Sequence, residues 1–247
     1  MDIDKFIILS DIHANLTALK AVLLDIEKQG YLPDEVILLG DIINYGMRPN
    51  EVIEELINLS YPVVVNLMGN HEKALLDGNL NHFSTERGKA MLEYTTSILT
   101  ETSLSYIKEN MNSVGFQTMN CQDKHLLFLH GNRNDSFWGK LGVENISDLY
   151  YSDYEYVFSG HTHLPHYISY YYPSECAYLR NKKKTVFINP GSVGQPRNQN
   201  PYAQYVYFEL SRGRVHHNAV PYNIDAERKL YPKYLDTFYK DRLLLGI

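Results

Sequence analysis

The chain has 247 residues, 44% of them hydrophobic, and carries a formal net charge of −6 from 23 basic and 29 acidic side chains. This length and composition are enough for the core of one large α/β domain, and we predict a single domain over residues 1–247. The acidic balance argues against stable nucleic-acid binding and against attachment to an anionic membrane, so any affinity for phosphate must be local.

The cysteines and the amino-terminal segment indicate the cellular compartment. Cys121 and Cys176 match neither a zinc-ligand spacing nor a disulfide scaffold. The first apolar run lacks the features of a signal peptide, and no stretch approaches the ~18 apolar residues of a membrane helix. We therefore predict a soluble cytoplasmic protein with no membrane association.

The first part of the chain alternates short apolar runs with segments of helical periodicity. Strands are predicted at 6–9, 35–39 and 62–67, and helices at 15–29 and 50–59, with Asn50 as the cap of the second helix. Two further helices are predicted at 84–100 and 102–111, with Ser84, Thr85 and Thr102 as candidate caps. We expect these two helices, residues 84–111, to form a small helical insert that caps the domain.

Strands dominate after residue 115. Apolar runs predict them at 116–119, 125–129, 155–159, 167–171, 184–189, 202–210 and 214–220, with the last two joined as a hairpin. Residues 224–245 follow a mostly helical pattern, interrupted at Pro232, which we expect to pack across the sheets. The basic cluster at 180–184 is typical of a solvated turn.

Six apolar runs end within a few residues of a metal-capable side chain. These side chains are Asp11 with His13, Asp41, Asn70 with His71, His130, His161 with His163, and Asn189. Loops that leave the carboxyl ends of strands in an α/β protein converge on one crevice, so these side chains become neighbours. Each motif alone also fits a helix cap, a turn or a core histidine. Five such motifs at strand ends in one chain favour a polynuclear metal site.

The ordered motifs resemble those of the calcineurin-like metallophosphoesterase family. They are Asp-x-His, Gly-Asp, Gly-Asn-His-Glu, His-Gly and Gly-His-Thr-His, followed by Asn-Pro-Gly-Ser-Val-Gly-Gln-Pro-Arg at 189–197. The resemblance spans essentially the whole chain and is greatest to the small prokaryotic phosphodiesterase and diadenosine-tetraphosphatase-like branch. It implies an α/β fold, α+β in some schemes, with four layers: two packed β-sheets flanked by helices, with a small helical cap.

The same resemblance implies roles for individual residues. Asp11, His13, Asp41 and His163 would bind a first ion, Asp41 would bridge, and Asn70, His130 and His161 would complete a second site. His71 would donate a proton or stabilise the transition state during hydrolysis by a metal-bridging hydroxide. Three positions depart from the usual pattern, because Ala14, Met47 and Glu72 stand where glycine, proline and aspartate are common. Glu72 would orient His71 through a longer arm.

The ligand chemistry restricts the metals. The implied donors are nitrogen and oxygen atoms without sulfur, which suits two divalent ions among Mn²⁺, Fe, Co²⁺ and Zn²⁺. Mn²⁺, or an iron and manganese pair, is the preferred assignment and comes chiefly from the resemblance. Two carboxylates against two divalent ions leave the site net positive, so an acidic protein can still bind an anionic phosphate there.

Substrate recognition should lie in the loops around the site. Arg197 could contact a phosphate, Arg133 lies in the loop 132–153, and Tyr45, Phe137 or Trp138 could stack on a nucleobase, although each could equally be a surface or core residue. We expect a small, nucleotide-like substrate with a phosphodiester or pyrophosphate bond, such as a dinucleoside polyphosphate. A phosphomonoesterase or Ser/Thr phosphoprotein phosphatase is the main alternative, and a non-catalytic scaffold is a further one. The oligomeric state and the physiological substrate stay open.

Overall fold

The computed structural model of the protein describes residues 3–83, 85–178, 180 and 182–247. The strands are β1 (Lys5–Leu9), β2 (Glu35–Leu38), β3 (Val63–Asn66), β4 (Phe116–Cys121), β5 (Lys124–Leu129), β6 (Tyr156–Ser159), β7 (His166–Tyr171), β8 (Lys184–Asn189), β9 (Ala203–Glu209) and β10 (Arg214–Val220). The α-helices are α1 (Leu16–Lys28), α2 (Pro49–Ile57), α3 (Asn70–Asp77), α4 (Glu86–Ile98), α5 (Glu101–Asn110), α6 (Ile224–Arg228) and α7 (Phe238–Leu245). Short 3₁₀ helices occupy Leu80–His82 and Leu149–Asp153.

The strands form two mixed sheets of five strands each. Their orders are β10-β9-β1-β2-β3 and β4-β5-β6-β8-β7. The neighbours β1, β2 and β3 run parallel in the first sheet, and β5, β6 and β8 run parallel in the second. This architecture of two sheets flanked by helices confirms the predicted α/β fold class.

Strand β1 shows how the sequence produces the layers. Side chains alternate between the two faces of a strand. Phe6 and Ile8 face the core between the sheets, where Phe158 and Phe208 also pack, with 5.3 Å between those two ring centroids. Ile7 and Leu9 face the helices on the other side. Since both faces are covered, β1 reads as a continuous apolar run, and each fully buried side chain of this kind stabilises the fold by roughly 1.5–3 kcal/mol.

The element boundaries agree closely with the sequence patterns. Every predicted strand is present, and its ends lie within two residues of the prediction. Helix α3 was not predicted, because its first turn carries the Gly-Asn-His-Glu motif and reads as a loop. Two predicted caps are wrong: α2 starts at Pro49 after Arg48, and α5 is capped by Thr100 rather than Thr102. Thr85 caps α4, whereas Ser84 lies outside the described residues.

The carboxyl-terminal segment does not pack across the sheets as predicted. Its helix α6 lies against α1, where Glu227 accepts a hydrogen bond of 2.7 Å from Thr17. Its helix α7 buries Tyr239 and Leu243 in a cluster with Met91 of α4. The aromatic side chains of the tail therefore cover the region between the helical insert and the strand ends. Among the described residues, no helix is both long and apolar enough to cross a membrane.

Candidate metal centre and adjoining cleft

The carboxyl ends of parallel strands from both sheets meet at one place. All seven predicted metal ligands lie there, on the segments that follow β1, β2, β3, β5 and β6; they are Asp11, His13, Asp41, Asn70, His130, His161 and His163. We call these seven residues the metal floor. Its side chains are buried except for the partly exposed His161. Ligand atoms from the floor and from His71 form three overlapping groups, each with its atoms within 4.8 Å of one another.

The backbone of the metal floor is strained in a systematic way. Asp11, His13, Asp41, His161 and His163 all have positive φ values, between 49° and 63°. Such conformations cost roughly 1–2 kcal/mol for a residue with a side chain and persist only where the surrounding structure enforces them. The turns are held by main-chain hydrogen bonds between neighbouring strand ends, such as His13 N–H to the Asp41 carbonyl at 3.0 Å.

We divide the metal floor into two sets of residues. The first set consists of Asp11, His13 and His163. The Nδ1 atoms of the two histidines lie 3.1 and 2.5 Å from the main-chain oxygens of Ile43 and Gln195. Because a carbonyl oxygen only accepts, each Nδ1 carries the proton and each Nε2 presents a lone pair. These two Nε2 atoms are only 3.2 Å apart, and Asp11 Oδ1 lies 3.2 Å from His163 Nε2. Hydrogen-bond acceptors that face one another this closely fit a cation that binds between them.

The buried carboxylate of Asp11 supports the same conclusion. Its Oδ2 accepts from the Ser10 hydroxyl at 2.6 Å and from the His161 amide at 3.1 Å. Its Oδ1 is buried and has no hydrogen-bond partner among the described residues. Burial raises the pKa of Asp11, but His163 and His130 outweigh it and hold the pKa below its ordinary value. An ionised, unsatisfied oxygen in the protein interior is costly unless a cation binds it.

The second set consists of Asp41, Asn70, His130 and His161. His130 Nδ1 lies 2.7 Å from the Leu39 carbonyl, and its Nε2 lies 3.0 Å from Asn70 Oδ1 and 3.4 Å from Asp41 Oδ2. Burial works to lower the pKa of His130, but Asp41 raises it to about 9, so without a metal Nε2 carries a proton that a bound ion would displace. His161 Nδ1 is 2.9 Å from the same Asn70 oxygen. The candidate metal-binding atoms of this set are again nitrogen and oxygen atoms, and they converge on one point. Divalent ions of the Mn²⁺, Fe, Co²⁺ and Zn²⁺ type accept such ligands.

Asp41 lies between the two sets of floor residues. Its Oδ2 is 3.4 Å from His130 Nε2 on one side and 3.9 Å from His13 Nε2 on the other. Burial works to raise its pKa, yet His130 and His71 hold that pKa well below the ordinary value, so Asp41 is ionised. Gly69 makes this position possible, because a Cβ there would lie 2.1 Å from Asp41 Oδ1.

His71 differs from the floor histidines in its hydrogen-bond partner. Its Nδ1 lies 2.7 Å from Asn44 Nδ2, and the Asn44 amide orientation is fixed because its Oδ1 accepts from the Tyr45 amide at 2.8 Å. Asn44 therefore donates to His71 Nδ1, and the proton of the neutral ring sits on Nε2. Burial lowers the pKa of His71 to about 4 despite Asp41 nearby. His71 consequently presents an N–H donor where the histidines of the first set present lone pairs.

The sequence prediction for Glu72 is wrong. Glu72 does not orient His71 but accepts four main-chain amides, those of Asp41, Ile42, Ile43 and Gly69, at 2.8–3.1 Å. A glutamate arm is long enough to span the turns after β2 and β3. Burial and the neighbouring Asp41 raise the pKa of Glu72 to about 7, although the amide bonds act in the opposite direction. Asn44, which the motifs did not indicate, contacts His71 instead.

A cleft of about 250 Å³ opens above the metal floor. Its far side, which we call the cleft wall, consists of Arg87, Trp138, Arg197, Phe238, Tyr239 and Arg242. A larger cavity of about 560 Å³ lies beside β3 and α5, but among the described residues that line it there is no histidine, lysine or arginine. The chemistry-bearing side chains therefore select the smaller cleft as the candidate site.

The cleft contains two of the three predicted substrate contacts. Arg197 and Tyr45 line it, but Arg133 does not; Arg133 pairs with Asp148 at 2.9 Å and stacks over Tyr150. Tyr45 is packed between the His13 and Tyr239 rings, with centroids at 4.7 and 4.4 Å, so it has no free face for a nucleobase. Phe137 is partly buried against the core, whereas Trp138 faces the cleft.

The fold and this arrangement define the class of protein. Residues 5–213 match the calcineurin-like phosphoesterase superfamily domain, and the chain belongs to this superfamily. The predicted family is thereby confirmed. Members of the superfamily are metal-dependent phosphoester hydrolases with a dinuclear centre of divalent ions.

Individual relatives match the chain over its whole length. The uncharacterized protein MJ0912 of Methanocaldococcus jannaschii is 30% identical over 251 residues, which cover 97% of both chains. The crystal structure of a metallophosphoesterase from Sphaerobacter thermophilus is 29% identical, with a TM-score of 0.75 and full coverage of both chains. The hypothetical protein PH1004 from Pyrococcus horikoshii shares the fold, with a TM-score of 0.79 at 19% identity over 98% of both chains.

Proposed function

We propose that this protein hydrolyses phosphodiester or pyrophosphate bonds in small nucleotide-like substrates with the help of two divalent metal ions. The observation that carries the proposal is the direction of the ring nitrogens. Three floor histidines donate from Nδ1 to main-chain oxygens and so turn Nε2, the atom that would bind a metal, toward the other floor side chains, while the Nε2 of His71 carries a proton and His71 lines the same cleft. An imidazole nitrogen with a lone pair suits metal binding. The single N–H donor of His71 suits a hydrogen bond to an oxygen of the reacting phosphate.

The metal floor supplies ligands for two ions. Asp11, His13, Asp41 and His163 would hold the first, and Asp41, Asn70, His130 and His161 the second, with Asp41 shared. When bound, a metal pair of this kind provides a nucleophile at neutral pH and neutralises charge on the phosphoryl oxygens. We propose Mn²⁺, or an iron and manganese pair, as the native metals, with Zn²⁺ and Co²⁺ as the alternatives.

The other polar side chains of the cleft act directly on the substrate in this proposal. His71 donates its Nε2 proton in a hydrogen bond to the leaving oxygen, and Asn44 holds the ring in the required tautomer. Arg197 provides a guanidinium for an oxygen of the scissile phosphate. Arg197 lines the same cleft as His71 and His163.

The cleft also supports a nucleotide-like substrate. Trp138 lies next to His82 with 5.0 Å between ring centroids, and both line the cleft. An aromatic surface beside a phosphate site fits a nucleobase, which would stack there. We propose that the helical insert, residues 84–111, acts as the cap that selects such substrates. A cytoplasmic location is part of the proposal, since nucleotides and reduced metal ions occur there.

One comparison of substrates tests this function. The purified protein, loaded with Mn²⁺, is assayed on bis(p-nitrophenyl) phosphate, p-nitrophenyl phosphate and diadenosine tetraphosphate, with Asn70→Ala as the control that removes a proposed ligand. We expect hydrolysis of the diester and of the tetraphosphate, and its loss in the variant. Preference for the monoester would overturn the diesterase proposal in favour of a phosphomonoesterase or phosphoprotein phosphatase. Activity on none of the three would favour the non-catalytic scaffold.

A further inference from the structure

The cleft wall is far more positive than the rest of the protein. The whole chain has a net charge of −6, yet three arginines, Arg87, Arg197 and Arg242, line one cleft of about 250 Å³. The only carboxylate among the described residues of that lining is Asp41, which belongs to the metal floor. The concentration of like charges opposes folding unless an anion binds between them.

These arginines also differ from the others in their partners. Of the six other arginines, Arg180 is exposed, and five form an ion pair with a carboxylate; they are Arg48, Arg133, Arg212, Arg214 and Arg228. In the described part of the chain, no aspartate or glutamate side chain pairs with Arg87, Arg197 or Arg242. The buried Nε of Arg197 lacks a hydrogen-bond partner among the described residues, and the Nε of Arg242 donates only to the Ile247 main-chain oxygen. Guanidinium N–H groups therefore remain available for a ligand.

Packing places two of the three arginines beyond the metal floor. The Arg87 and Arg242 guanidinium carbons lie 4.0 and 5.1 Å from the centroid of the same Phe238 ring. Phe238 contacts Tyr239 at 5.3 Å, and Tyr239 stacks on Tyr45 at 4.4 Å. Tyr45 in turn contacts His71 at 4.5 Å between centroids. Arg87 and Arg242 therefore lie over one aromatic ring, which is linked to His71 through the ring contacts of Tyr239 and Tyr45.

Arg197 lines the same cleft as His163 of the metal floor and as Arg87 and Arg242. It lies two residues after Gln195, whose main-chain oxygen is 2.5 Å from His163 Nδ1, so Arg197 is the arginine on the segment that contacts the metal floor. Arg87 and Arg242 lie on helices α4 and α7 instead. One phosphate at the metal floor would engage Arg197 and leave the other two without an anion.

We infer that Arg87 and Arg242 form a second anion subsite, which binds a further phosphate group of the same substrate molecule. The inference rests on the proposed function and narrows its substrate class to molecules with at least two phosphates. The second phosphate can belong to a pyrophosphate chain, as in a dinucleoside polyphosphate, or to a separate ester on the nucleoside. Both sources present the anionic phosphoryl oxygens that paired guanidinium groups bind.

A matched pair of probes tests the subsite. Thymidine 5′-(p-nitrophenyl phosphate) and the same compound with a 3′-phosphate share one scissile bond and differ only in the second phosphate. We expect the metal-loaded wild type to prefer the bisphosphorylated probe in kcat/KM, and Arg87→Gln or Arg242→Gln to reduce this preference about tenfold each, as expected for loss of a charge-assisted contact. Arg212→Gln, which removes an exposed arginine paired with Glu209, is the control and should keep the preference.

Binding and a third substrate complete the experiment. Calorimetry with thymidine 3′,5′-bisphosphate and thymidine 5′-monophosphate should show the same loss of preference in the variants without turnover. Diadenosine tetraphosphate distinguishes the two sources of the second phosphate. If the subsite binds a pyrophosphate chain, the variants should lose more kcat/KM on diadenosine tetraphosphate than on the 3′-phosphate probe. Equal losses on both thymidine probes would overturn the subsite and assign Arg87 and Arg242 to packing on Phe238. Failure of the wild type on every probe would instead overturn the proposed function.

Discussion

The metal floor and the cleft wall are held in position by different forces. The predicted ligands of the floor lie just after strand ends, five of them in left-handed turns, and are held by main-chain hydrogen bonds and by the four amide bonds of Glu72. The wall comes from helices α4 and α7 and from two loops, and its side chains are held mainly by aromatic packing around Phe238.

This difference separates the reaction from the choice of substrate. A rigid frame of main-chain bonds allows one geometry, as metal ligands require. Side-chain packing on a helix surface tolerates replacement, so the wall can change without loss of the floor. Substitutions in the floor should therefore abolish chemistry or folding, and substitutions in the wall should alter preference.

The largest effect is expected from His71, at the boundary of the two regions. His71→Ala should lower kcat by about 10²- to 10⁴-fold, because the donor to the leaving oxygen is lost. The metal content should stay near that of wild type, since the ring N–H faces the cleft and is not a lone pair for a metal. The measurement is single-substrate kinetics together with elemental analysis of the same samples. Full turnover with intact metals would remove His71 from the mechanism.

The frame beneath the floor is tested by Glu72→Gln. Each carboxylate oxygen of Glu72 accepts two main-chain N–H groups, so an amide NH₂ in either orientation would face two donors. We expect the free energy of unfolding of the metal-free protein to fall by about 3 kcal/mol, the cost of leaving buried donors unpaired. Denaturant titration measures it. Glu86→Gln, a change at an exposed helix start paired with Lys89, is the matched control; similar stability of the two variants would contradict the role of Glu72.

Much of the fold and floor could be predicted from sequence for physical reasons. Strands such as β1 and β8 are apolar on both faces and bounded by turn residues, so their positions were visible without tertiary information. The predicted metal ligands follow β1, β2, β3, β5 and β6, and the strand ends of an α/β fold converge whatever the intervening sequence. Asp11 and His163 are far apart in sequence yet could be placed at one site by this rule.

Contacts between side chains of separate elements could not be predicted in this way. Asn44 reaches His71 across 27 positions in sequence, and neither residue carries a local signal of the other. Arg87 and Arg242 reach the same Phe238 ring only because α7 packs on α4, which the expected packing of the tail across the sheets did not predict. Arg133 was chosen for its place in a loop near the site, whereas its partner Asp148 decides where it lies.

A smaller and pH-dependent effect is expected from Asn44→Asp. The carboxylate accepts from His71 Nδ1 instead of donating to it, and its charge raises the pKa of His71 from about 4. Below the new pKa the ring is doubly protonated and Nε2 still donates. Above it the remaining proton moves to Nδ1 and the donor at Nε2 is lost. The kcat profile should therefore gain a basic limb, with a loss of roughly 10- to 100-fold at pH 8.

The wild type provides the reference for that profile. Its neutral His71 keeps the proton on Nε2 throughout the range above about pH 4, so no fall with rising pH is expected from this residue. Asn44→Ala removes the hydrogen bond without adding a charge and should lower kcat evenly across pH 5–9. Parallel profiles for Asn44→Asp and wild type would show that Asn44 does not set the tautomer of His71.

The smallest effect is expected for an arginine that lies outside the cleft. Arg133→Gln should change kcat/KM by less than about twofold on every probe, because its guanidinium pairs with Asp148 at 2.9 Å outside the cleft lining and an exposed pair contributes only ~0–1 kcal/mol. Arg197→Gln, with the same loss of charge inside the cleft, should reduce it at least tenfold, as removal of a charge-assisted bond to phosphate predicts. A large loss in Arg133→Gln would mean that the loop 132–153 closes over the substrate during turnover. The adaptable wall would then include the rest of that loop as well as Trp138.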